Sequence, residues 1–401
     1  MTINIHDPKQ PETPPELSLF NLGFRPFFLM AGIFAVLSMV LWMLIYQGVI
    51  DYSAGQITLF QWHAHEMIFG YAMAVIAGFL LTAVQNWTGQ KMPAGRKLAL
   101  MVLFWVGARV AFVVGGSALQ VGALFNLCFM VLLAISISDK IVRVRQWRQA
   151  GIVAVIALLA VGELTFIIGL VERDQLLISR AIYGAFYLIM VLILLMARRV
   201  VPFFIERGVG YPVTFRQSKL LDIAVVGGFL CYAIVTVLNV DYRISAALAL
   251  LLFVCQSARL FNWYTAGIWK KPLLWSLYLS LVFIDLGFLL AALAPWLKIS
   301  SYLIVHAFAV GGIGFITLSM MSRVALGHTG RDIHSAPGLV TLSVVLLALC
   351  VLSRVALPMI FPSSYVLWIG VSQLLWIVAF VIFSWIYGPM FFKPRVDGRA
   401  G

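Results

Sequence analysis

The sequence predicts an all-α, polytopic membrane protein of about twelve transmembrane helices with both termini cytoplasmic. Three observations predict it. Of 401 residues, 63% are hydrophobic and only 11% are charged, where a soluble domain carries roughly 25%; the chain has too little polar surface to enclose its own apolar bulk in water. Apolar runs of about 20 residues, each long enough to cross a hydrocarbon core, recur along nearly the whole length. Lastly, Lys and Arg gather in alternate inter-run segments.

Taken in order, the spans are expected at 27–47, 63–85, 97–115, 118–138, 150–170, 180–198, 219–238, 243–261, 273–295, 301–321, 338–358 and 365–387. Residues 1–26, with "PETPP", lack the basic stretch, apolar run and small-residue cleavage site of a signal peptide and are expected to be a disordered cytoplasmic tail. Residues 27–387 form a single twelve-helix membrane domain, and 388–401 a basic cytoplasmic tail. With the N-terminus inside, 22 of the 28 Lys and Arg lie on the cytoplasmic side; only Arg173, Arg180, Arg243, Lys298 and Arg354 fall outside, and Arg109 lies within the third span. This alternation supports twelve spans, because a missed helix inverts half of it. The net charge of +13 is therefore an orientation signal: membrane lipid is the expected partner, and no nucleic acid. Cys128, Cys231, Cys255 and Cys350 each sit alone in an apolar run with no CxxC, so neither a thiolate metal site nor attached c-type haem is indicated.

Two spans begin near a histidine. The second and the tenth run in the same direction, so His65 and His306 lie at similar depth at the outer face. His65 is followed by Gly70, Thr88 and Gly89; His306 is followed by Gly311, Thr329 and Gly330 at the same offsets. That correspondence reads either as a decayed internal duplication or as coincidence. At 100° per residue, His63 and His65 point about 160° apart. Glu66, Met67, Gly70, Ala74 and Gly78 are expected on the His63 side, and Ile68, Phe69, Ala72 and Ile76 on the His65 side.

A b-type haem between two helices needs one imidazole from each, small residues where the porphyrin lies, and cations for its propionates. His65 and His306 meet the first need, the small residues beneath them the second, and Arg109 the third. The partner of Arg109 is a propionate, or else Glu66 or Glu163. The plainer alternative makes both histidines interfacial polar residues. His63 with Met67, one turn on, offers imidazole and thioether for copper; Met67 as packing is the alternative. His328 and His334, with Asp332, Arg323 and Arg331, stand at the opposite face, where they suit a second metal or haem, or form a solvated loop. Glu66, Glu163 and Asp285 are carboxylates in or beside spans, which are functional candidates by default. They suit proton delivery.

Six motifs carry a family resemblance: "LGFRPFFL" at 22–29, "WHAHEMIFGY" at 62–71, "AGFLLTAVQNWTG" at 77–89, "WVGAR" at 105–109, "ARRVVPFF" at 197–204 and "SMMSRVALGHTGR" at 319–331. Together they resemble the NnrS family, haem- and copper-containing membrane proteins linked to bacterial responses to nitric oxide. The resemblance implies a bacterial inner-membrane protein that relieves nitrosative stress by binding or reducing nitric oxide, fed by an unknown electron donor. It carries over His63, His65 and His328 as motif histidines. After "ARRVVPFF" this chain continues "IERGVG", where a more polar turn is expected. The pattern also resembles the catalytic subunit of haem–copper oxidases and nitric oxide reductases, with haem ligands on the second and tenth spans. Here, however, the sixth and seventh spans have no histidine, so a standard binuclear centre cannot be built. The competing readings are a twelve-span transporter without haem and a haem-binding sensor or assembly factor without turnover.

Overall fold

A computed structural model describes residues 18–398. Among these, every regular element is helical, and twelve helices are long and apolar enough to cross a membrane. They are α1 (Phe24–Tyr46), α2 (Leu59–Thr88), α3 (Arg96–Val114), α4 (Ala118–Arg143), α5 (Trp147–Glu172), α6 (Gln175–Gly208), α7 (Lys219–Val237), α8 (Tyr242–Asn262), α9 (Pro272–Leu297), α10 (Ser301–His328), α11 (Gly338–Ile360) and α12 (Pro362–Phe392). Each expected span finds one of these. Sequence neighbours pack side by side, and α1 closes against α12.

The ends differ from expectation in ways that local chemistry explains. Helix α1 starts at Phe24 rather than after the tail, and Arg25 is fully buried. Its guanidinium donates to the carbonyls of Phe391 (3.1 Å) and Lys393 (2.7 Å), so this motif arginine caps the end of α12. The Phe24 N–H donates to Thr82 Oγ1 in α2 at 3.1 Å. Residues 18–26 thus belong to the folded domain; the rest of the expected tail, 1–17, lies outside the described residues, as do 399–401. Helix α12 runs on to Phe392, five residues into the expected C-terminal tail. Helix α6 continues to Gly208 through residues expected in a loop, because Val201 and Ile205 are fully buried and hold that stretch against the bundle. Helix α2 begins four residues early: Thr58 Oγ1 accepts from the Gln61 N–H, and Gln61 Oε1 from the Thr58 N–H, a reciprocal capping box. His63 and His65 therefore occupy the second turn of a helix that is already secured.

Helices α2 and α10 are the interior of the bundle. In their apolar cores 78% and 72% of residues are buried, against 17% in α7, so the two histidine-bearing helices are the ones most shielded from lipid. Small residues permit the crowding: a Cβ on Gly78 would meet the Phe28 ring at 2.8 Å, and one on Gly314 the Trp376 ring at 2.5 Å. The correspondence between α2 and α10 extends to conformation. Immediately after His65, and again after His306, the α-geometry widens into a π-turn, over Glu66–Ala72 and Ala307–Gly314. Thr88 and Thr329 each donate to the carbonyl four residues back at 2.7 Å, and Gly89 and Gly330 each adopt positive φ as the helix ends. A third π-turn, Leu352–Ala356 in α11, contains Arg354. Such turns add a residue to a helical turn and are frequent at functional sites.

Candidate functional site

Helix α2 addresses two compartments from opposite sides. His65, fully buried, faces α3, α4 and α5. Its ring stacks on Phe112 with centroids 4.0 Å apart and touches Phe69 and Phe166. Nδ1 lies 3.1 Å from Glu66 Oε1, and Nε2 lies 3.3 Å from Glu163 Oε2. Arg109 pairs with Glu66 and donates to Asn126 Oδ1 at 2.6 Å; Asn126 Nδ2 donates to Glu163 Oε1 at 3.3 Å. Five polar residues, all at most 5% exposed, thus form one closed cluster. Neutral imidazole donates from only one nitrogen. A neutral His65 can therefore donate to only one of the two carboxylates it faces.

Tyr52, from the loop before α2, and Trp62, in the first turn of α2, bond to the same carbonyl beside this compartment. Tyr52 Oη donates to the Phe112 carbonyl at 2.7 Å, and Trp62 Nε1 donates to the same oxygen at 2.9 Å. Burial, and then the Glu66 charge, push the Tyr52 hydroxyl up to about 12. Trp105 Nε1 donates to the Gly70 carbonyl at 3.0 Å, an oxygen within the wide turn.

The second compartment lies between α1, α2, α10 and α11. His63, half-buried, stacks flat on Trp42, with centroids 4.6 Å apart and planes 9° from parallel. His306 Nδ1 lies 2.7 Å from the Tyr302 carbonyl, which fixes the proton on Nδ1 and leaves the Nε2 lone pair for an acceptor or ligand role. Arg354 Nη2 lies 3.1 Å from the His306 ring nitrogens. His63, His306 and Arg354 are close enough to act on one another electrostatically. The Ser38 hydroxyl lies 3.9 Å from Met67 Sδ, which places that thioether on the α1 side of α2.

This arrangement corrects the expected pairing of His65 with His306. Both nitrogens of His65 are engaged by carboxylates, and its ring is enclosed by phenylalanines on the far side of α2; the imidazole that shares a compartment with His306 is His63. Glu66, expected on the His63 side, sits with His65, because Arg109 draws its carboxylate there. Arg109 has Glu66 rather than a free propionate site. The small residues expected to receive a porphyrin receive side chains instead: Phe34 and Arg109 pack over Gly70, and Phe283 over Gly311. A haem between His65 and His306 does not fit the residues as they stand. The donor chemistry of His63 and His306, two imidazoles with a thioether nearby, does fit a metal.

The remaining expected residues stay apart from both compartments. Asp285 accepts from Ser257 at 2.6 Å between α9 and α8. His328, at the far end of α10, packs against Phe24 with centroids 5.6 Å apart. Across the turn that follows, Asp332 accepts from the His334 N–H (2.8 Å) and the Ser335 hydroxyl (2.6 Å), which hold its carboxyl below the usual range. His334 is exposed and Arg331 half-buried. Among the described residues, no three His, Cys, Asp or Glu side chains converge as a metal site. A cavity of about 80 Å³ between α1, α2, α6 and α10 is lined almost wholly by apolar side chains and touches neither histidine compartment. Sequence reasoning passed over Arg354, counted as an outer-loop charge, and Trp42. The signal for Arg354 was present: a cation inside the run "LCVLSRVAL".

No curated protein matches this chain. A model of one protein family, described as NnrS protein, matches residues 18–395, from the serine at the foot of α1 to the arginine beyond α12. That span takes in all twelve helices and both histidine compartments: the chain belongs to the NnrS family.

Proposed function

We propose that this protein binds haem and copper in the inner membrane of a bacterium and relieves nitrosative stress by binding or reducing nitric oxide. The observation that carries the reading is His306: its Nδ1 is tied to a backbone carbonyl, which puts the ring's lone pair on Nε2, in the compartment shared with His63 and Arg354. That is how proteins orient a metal-ligating imidazole. His63 and His306 hold the metal, with Met67 the nearest soft donor on the same helix as His63. A metal held there would supply the affinity for nitric oxide and would relay to it the electrons of an external donor.

The chain's own groups divide the remaining work. Trp42 holds the His63 ring by stacking, and Tyr302 holds His306. The cluster of His65, Glu66, Glu163, Arg109 and Asn126, on the other side of α2 from His63, offers buried groups able to carry a proton. Its phenylalanine walls exclude water, so a proton there leaves only along the polar side chains. Asp285, between α8 and α9, takes no part in this path.

The test is metal and haem analysis of purified protein, with absorption spectra of oxidised and dithionite-reduced samples before and after nitric oxide. His63→Ala and His306→Ala are expected to lose most of the bound metal, and His65→Ala to keep it while losing stability. Full haem and copper content in both of the first two variants overturns the assignment. Wild-type protein without a chromophore, after expression with ample haem, turns the reading to a twelve-span transporter.

A further inference from the structure

Arg354 lacks the carboxylate partner that several other arginines of the spans have. Arg109 faces Glu66, and Arg259 lies 3.5 Å from Asp222. Among the described residues, no Asp or Glu pairs with Arg354. The ionisable groups around it are His63 from α2, His306 from α10, Tyr46 from α1, Tyr365 from α12 and Cys350 from its own helix. Its Nη2 is equidistant, at 3.1 Å, from both ring nitrogens of His306, so it lies astride the ring and not along one lone pair. Its Nη1 is buried and has no hydrogen-bond partner among the described residues. Arg354 as a whole is half-buried, but an enclosed guanidinium edge without a counter-charge is unfavourable. The planar fork of Arg matches anions with two oxygens on one centre.

We infer that Arg354, beside His306 and His63, is the binding site for a planar monovalent oxyanion, a carboxylate or an ion of nitrite's size. The anion takes the unpartnered Nη1 edge and supplies the missing counter-charge. The inference shares the compartment of the proposed metal site but rests on Arg354's own surroundings. Two sources present this chemistry: the carboxylate of a bound haem, and a free anion entering from the histidine end of the bundle.

The experiment uses full-length protein in uncharged detergent as wild type, Arg354→Gln and Arg354→Lys. Sodium nitrite and sodium formate are titrated by calorimetry, with sodium chloride at equal ionic strength as control. Haem and copper are measured in the same samples, and monodispersity is checked for each variant. For a free anion, nitrite and formate bind wild type, Arg354→Gln weakens them at least tenfold, and Arg354→Lys, which keeps charge but loses the fork, weakens them less. For a haem carboxylate, the anions bind only haem-stripped protein, and Arg354→Gln retains less haem than wild type. Either pattern supports the site and names its source. Equal anion binding in all three proteins, or none in any of them, with unchanged haem retention, overturns it. Failure of the metal assignment is separately visible: His63→Ala and His306→Ala keep their metal while Arg354→Gln still loses the anion.

Discussion

Glu66 accepts from Arg109 and His65 through one oxygen, while its other oxygen has no partner among the described residues. Arg109 is therefore its permanently charged partner. Removing one member of a buried pair leaves the other charge uncompensated, at a cost of about 3–5 kcal/mol. Arg109→Ala is expected to fall in that range, read as a lowered thermal midpoint in detergent. Because the two residues share one interaction, Arg109→Ala combined with Glu66→Gln should lose clearly less than the sum of the single changes. Additive losses would mean that Asn126, not Glu66, is the partner that matters to Arg109. At this scale the sequence was informative about candidates and poor about partners. His65, Glu66, Glu163, Arg109 and Asn126 all stand out as polar residues in apolar runs. Which of them meet depends on side chains from four helices, and no spacing within one helix encodes that.

The wide turns are decided between the residue and the bundle. A strict period of 3.6 puts Glu66 on the side of His63, yet the helix leaves that period at Glu66 itself. Nothing in "EMIFGYA" announces the change by propensity. The close approach of Trp105 and Arg109 to Gly70 accompanies it. Glycines in these helices then separate into two kinds that look alike in sequence. Gly314, in the wide turn of α10, has the Trp376 ring 2.5 Å from where a Cβ would stand, and Trp376 is held by its 3.1 Å bond to the Ala35 carbonyl. Gly227 in α7 has nothing within 4 Å. Gly314→Ala should cost about 1–3 kcal/mol through overpacking, whereas Gly227→Ala should be neutral or slightly stabilising through helix propensity. Thermal midpoints of the two variants, measured side by side, test this; equal shifts would count against the packing assigned to Gly314.

For the whole molecule, the charge alternation makes a prediction about sidedness. In a cysteine-free background, Arg173→Cys and Lys298→Cys should react with a membrane-impermeant maleimide in intact cells, and Arg216→Cys only after lysis. Labelling in the opposite sense would reverse the orientation while leaving the bundle unchanged. The number of spans, their limits to within about five residues except at the C-terminal ends of α6 and α10, and the placement of His63, His65 and His306 at one end were legible in the sequence. Hydropathy and charge act locally along the chain: a run of 20 apolar residues must cross the bilayer whatever surrounds it, and the odd number of helices between α2 and α10, α3 to α9, makes them parallel. Tertiary structure alone decided that α2 and α10 form the interior, that His63 rather than His65 meets the compartment of His306, and that Arg354 joins them. Each of these depends on how helices rotate about their own axes against several neighbours at once. That rotation is set by which small residues admit which rings, and by where buried charges find partners, and neither is a property of any single segment.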